Sequence, residues 1–136
     1  MKPLVIALSL LLATTLSAAT QEKIVATTVL KTTVTATGQK IVFPTGDTEV
    51  TALLVSLPAG ADTGWHEHPY PRYAYVLEGA VTVENDAGIR NTYPEGSFFV
   101  EQIGTFHHGT TTVPTRLLVI DQAEAGKPNQ INRSRD

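Results

Sequence analysis

The four histidines of this 136-residue chain fall in two pairs. His66 and His68 stand in "GWHEHPYPRYAYVLEG" (Gly64 to Gly79), and His107 and His108 in "FHHG" some forty residues on. On an extended strand alternate side chains share a face, so His66 and His68 project together while Glu67 points away. Two imidazoles so spaced can chelate one ion. A third from a distant strand would close a facial set and leave positions open for water or substrate. His107 is the natural candidate, because the glycine of "IGTF" before it can re-aim the strand, and His108 should then point the other way. The bland alternative is a pair of half-exposed histidines at a strand end.

Such ligands need short strands to carry them. Seven stretches rich in Val, Thr, Ile, Leu and Tyr read as strands: Ile24 to Thr35, Lys40 to Phe43, Glu49 to Pro58, Tyr73 to Glu84, Ile89 to Tyr93, Gly96 to Glu101 and Thr115 to Asp121. The "NDAG" turn (Asn85 to Gly88) should make its flanking strands a hairpin. No segment beyond residue 20 has a convincing helical period, so an all-β sandwich or barrel of antiparallel strands is expected. The last fifteen residues, "QAEAGKPNQINRSRD", are polar and expected to fray.

The start reads as an export signal: Lys2, an apolar run from Leu4 to Ala13, then the small residues of "LSAA". The run is short for a membrane span. Cleavage near Ala19 predicts a periplasmic or secreted protein with no membrane attachment after processing. The expected organisation is a signal at 1–19, a β-barrel domain at 20–121 and a polar tail at 122–136. Without Lys2, nine basic side chains face thirteen acidic ones, a net charge of −4. No basic block remains to bind nucleic acid. The absence of cysteine excludes thiol chemistry and thiolate metal sites.

The stretch from Gly64 through Thr111 resembles the two signature motifs of the cupin superfamily. His66, His68 and Gly79 match the first motif, with "YVLEGAVTV" as its usual continuation. Gly96, Gly104 and His107 match the second. The resemblance implies an antiparallel jelly-roll barrel that commonly forms homodimers. It also implies a divalent metal (iron, manganese, nickel or zinc) on His66, His68 and His107, with a small-molecule ligand beside it. The chain departs from the pattern at Gln102 and Thr111, and at Arg72, which stands where the family places its glutamate ligand. A guanidinium stays protonated and cannot coordinate.

Glu101 or Gln102 could supply a fourth ligand, although the plainer expectation for Glu101 is an outward position or a pairing with Arg72. Arg72 itself has two readings. One is an ion pair with Glu67, Glu78 or Glu101; the other, if the family register holds, is an anion clamp facing the cavity. Tyr70 and Tyr73 are candidates to line the pocket mouth. The implied activities divide between oxygen-dependent oxidation of a small acidic or enol-bearing molecule and plain small-molecule binding, with or without metal.

Overall fold

The computed structural model describes residues 22–134, so the expected signal at 1–19 lies outside the described residues. Those described residues contain no helix. They form nine strands: β1 (Thr48–Leu57), β2 (His66–Glu67), β3 (Arg72–Glu78), β4 (Ala80–Asn85), β5 (Arg90–Pro94), β6 (Phe98–Val100), β7 (His107–Thr110), β8 (Thr115–Glu124) and β9 (Ile131–Asn132). One sheet has the order β1-β8-β3-β6, the other β5-β4-β7-β2-β9. All pairings between these strands are antiparallel.

β8 shows why two layers form. Thr115, Leu117, Val119, Asp121 and Ala123 are buried, and the residues between them are not. Alternation with one apolar face requires a second layer to cover it. Val81 from the opposite sheet meets Ala74, Val76, Phe99, Leu117 and Val119 to form that core, with Val55, Leu57, Val83 and Tyr93 packed against it. The β4–β5 hairpin forms as the "NDAG" turn predicts: Asn85 Oδ1 accepts the amides of Ala87 and Ile89, which closes the turn.

Two expectations fail. Ile24 to Thr35 and Lys40 to Phe43 are not strands; they contribute one isolated bridge, Val34 to Lys40, and Ile24 is fully exposed. Their composition suits a half-buried sheet surface, but only the end of the first stretch reaches one: Thr35 is buried and the next amide, of Ala36, donates to Val100 O. The C-terminal segment, in turn, is paired to the domain within its described residues, 122–134. β8 continues to Glu124, β9 pairs with β2, and Asn129 is buried. Gln122, Glu124 and Asn129 use their side chains in internal hydrogen bonds, described below, while residues 125–128 and 130–134 stay exposed.

Strand β3 crosses to β4 in the other sheet through Gly79, whose φ of +79° is left-handed. A Cβ there would lie 2.4 Å from Pro114 O and 2.7 Å from Thr115 Oγ1. Backbone strain and steric clash therefore act together at this one position. We expect Gly79→Ala to destabilise the domain by about 3 kcal/mol in urea unfolding. The exposed Gly88→Ala, strained but unclashed, should lose clearly less.

Candidate metal centre

His66 lies on β2 and is the register partner of His107 on β7, so both point into the sandwich from one sheet. His68 follows two residues later, held by an isolated bridge to Ile103. Glu101 enters from the opposite sheet, immediately after β6. One ligand atom from each of His66, His68, Glu101 and His107 falls in a group whose members all lie within 4.8 Å of one another. Ligands on opposite sides of one ion with bonds of about 2.1 Å stand about 4.2 Å apart, so only a small contraction is needed to bind.

The hydrogen bonds of the three imidazoles fix their chemistry. Nδ1 of His66 donates to Gly64 O at 2.7 Å, Nδ1 of His107 to Thr105 O at 2.9 Å, and Nδ1 of His68 to Asn129 O. A carbonyl only accepts, so each Nδ1 carries the hydrogen, and each ring, when neutral, presents a lone pair at Nε2; without a metal, His107 Nε2 instead carries a hydrogen bonded to Glu101 Oε2 at 2.9 Å. This outer support is what metal-binding histidines require. Nε2 of His68 is fully buried, lies 3.1 Å from Glu101 Oε2 without hydrogen-bond alignment, and has no other partner. The three Nε2 atoms and a carboxylate thus converge, and only the His107–Glu101 contact is satisfied by a proton; a cation among all four would make the remaining contacts favourable as well. The donor set fits a divalent metal.

The electrostatics agree. Burial dominates at His66 and pushes its pKa down to about 4, which favours the neutral, ligating form. At Glu101 burial works upward, but the adjacent His107 and His68 outweigh it and hold the carboxyl well below its ordinary range. At His107 burial works downward, and the contact with Glu101 at 2.9 Å overcomes it to raise the pKa. A proton shared by His107 and Glu101 is the monovalent counterpart of the metal.

Glu101 is therefore not outward-facing, as the plainer expectation had it. Phe99 points into the core, and Glu101, two residues on, keeps that face. Its amide donates to Arg72 O, so the acid stands across the ladder from the arginine. Gln102 faces elsewhere: buried, it accepts a hydrogen bond from Asn85 Nδ2 and does not join the cluster.

Arg72 does face the interior. Its partner is Asp121, an acid that sequence reasoning did not name, bound in bidentate fashion at 2.6 and 3.0 Å. Asn129 was missed as well. Its Nδ2 donates to Asp121 Oδ1, its Oδ1 accepts from the Tyr70 amide, and its carbonyl holds His68. Tyr70 and Tyr73 do not reach the cavity. Alternation turns Tyr73 outward beside Phe98, with its hydroxyl on Gln122, while the Tyr70 hydroxyl binds Glu124. His108 points away as expected, bonded to Asp62 and stacked on Trp65.

Beside the cluster lies a cavity of about 250 Å³, lined by Arg72, His66, Glu101, His107 and Gln130 together with a set of aliphatic side chains. No curated protein matches this chain. Among solved structures it is similar to a protein of Neisseria meningitidis at 27% identity and a TM-score of 0.50, covering 62% of this chain and 82% of that one. An RmlC-like cupin of Shewanella frigidimarina shares the fold at 22% identity and a TM-score of 0.51, covering 57% and 69%. So does a DMSP lyase of Ruegeria pomeroyi, at 20% identity and a TM-score of 0.54, covering 61% of this chain and 42% of the lyase. Residues 53–121, half of the chain, match the family described as the cupin domain. The chain belongs to the cupin superfamily.

Proposed function

We propose that this protein is a small exported cupin that holds a divalent metal on His66, His68, Glu101 and His107 and uses it to oxidise a small acidic or enol-bearing molecule with dioxygen. The observation that carries the metal reading is the orphaned Nε2 of His68 beside three further acceptors. When bound, such an ion supplies Lewis-acid polarisation of an acid or enol and, if redox-active, electron transfer with dioxygen. The protein's own groups then have defined parts. The three imidazoles and Glu101 set the open side of the site toward the cavity, Arg72 lies beside it to orient an anion, and the aliphatic walls exclude water.

One feature favours a second reading, a non-catalytic binding protein. Every titratable group lining the cavity is a proposed ligand except Arg72, which is paired, so no uncommitted general base faces a substrate. Elemental analysis followed by oxygen uptake with small acids separates the two. Bound iron or manganese with no uptake supports the binding reading, and a metal-free protein overturns the metal centre itself.

Replacing His66, His68 or His107 with Ala should each abolish stoichiometric metal while the β-sheet circular dichroism persists. Glu101→Gln should weaken metal binding at least tenfold, and His108→Ala should leave it unchanged, all read by metal titration. Arg72→Ala strips a largely buried Asp121 of its charge partner and should lower stability by about 3 kcal/mol in chemical denaturation. An exposed pair would lose only about 0–1 kcal/mol.

A homodimer is part of the same proposal. The outer edge strand β1 exposes Val50 and Leu54, and Ile24, Val25 and Val29 of the run before it are exposed as well. Sedimentation of the mature protein at micromolar concentration should give a dimer, and a clean monomer would refute it.

A further inference from the structure

The cavity beside the metal centre is polarised along its length. Inward-facing positions on four strands change from polar to apolar in the same direction away from the cluster. On β8 the order is Asp121, Val119, Leu117, and on β4 it is Asn85, Val83, Val81; Asp121 and Asn85 are buried just outside the cavity wall, and the other four line it. β6 leads from Glu101 back to Phe99, and β7 from His107 to Gly109. Arg72 pairs with Asp121 and Val76 with Leu117, so the change spans four residues, about 13 Å at roughly 3.3 Å each.

The charge balance limits what can enter. Asp121 neutralises Arg72 through two hydrogen bonds, so the pair adds no net charge. Three neutral imidazoles, one carboxylate and a divalent ion leave a single positive charge. No other charged side chain lines the cavity. At the far end the one hydroxyl, that of Thr63, is engaged with the backbone of Gly64 and Gly109. A second charge on the ligand would meet no opposite charge there and, among the aliphatic side chains, would lose part of its hydration. The volume, about 250 Å³, corresponds to about eight waters.

We infer that the ligand of this site is a monoanion with an uncharged aliphatic body, of the class of medium-chain or branched aliphatic carboxylates and their enol-acid relatives. The anionic head faces the metal and Arg72, and the aliphatic body lies between Val83, Phe99, Leu117 and Val119. This inference rests on the metal-centre reading above.

The test is calorimetric titration of the metal-loaded protein, metal content being measured first, with straight-chain carboxylates from acetate to decanoate. Affinity should rise about fourfold per added methylene, then fall once the chain outgrows the cavity. Glutarate and adipate should bind at least tenfold more weakly than the monoacids of equal length. Leu117→Phe, which shortens the apolar end, should move the optimum to a shorter chain. If that variant fails to fold, the wild-type series alone decides. A protein that takes up no metal overturns both this inference and the metal centre. A metal-loaded protein with flat chain-length dependence, or with a preference for the diacids, overturns this inference and leaves the metal centre standing.

Discussion

Three backbone carbonyls, those of Gly64, Thr105 and Asn129, hold the Nδ1 hydrogens of His66, His107 and His68 and so turn three Nε2 lone pairs on one point. If any ring took the other tautomer, its N–H would face the cluster and repel a cation. Two of these carbonyls lie two residues before their histidine, in the chain entering the strand. The third lies sixty-one residues after His68. The chemistry of the site therefore depends on the C-terminal segment being folded against β2.

That segment is kept in place by charge. Asn129 bonds Asp121, which bonds Arg72, so one buried network joins an ion pair on the β3–β8 ladder to the tautomer of His68 in the candidate metal cluster. A buried ion pair adds little net stability against an apolar substitute, because both charges must be desolvated. Its value here is orientation: the bidentate fork fixes Asp121 Oδ1 at the spot where the Asn129 amide can reach it. The same pairing removes the net positive charge that an unpaired Arg72 would bring to the cavity.

Arg72 and Glu101 also show how an acid facing a candidate metal site can change strands. The arginine stands where the family pattern has an acid, and the acid stands opposite it on the neighbouring strand, its amide bonded to the arginine carbonyl. Two side chains facing inward at adjoining ladder positions reach the same small volume. The carboxylate of the cluster thus comes from just after β6 instead of from β3, and the proposed metal site keeps one acid.

Strand periodicity is local, and what depends on it alone was legible in the sequence. The inward pairing of His66 and His68, the outward turn of His108, the "NDAG" hairpin and the all-β layering all follow from alternation and turn chemistry. The inward direction of Glu101 could have been read the same way from Phe99, since the turn that breaks alternation comes only after it. Other features were decided by contacts between residues far apart in sequence. Asp121 meets Arg72 across forty-nine residues, and Asn129 meets His68 across sixty-one. Nothing in a polar tail announces that its amide will be buried. Likewise, the β-branched run from Ile24 to Thr35 has the composition of a strand but joins no ladder and stays exposed up to Val34. Propensity belongs to the residue, whereas a partner for its backbone and side chains exists only once the whole chain has folded.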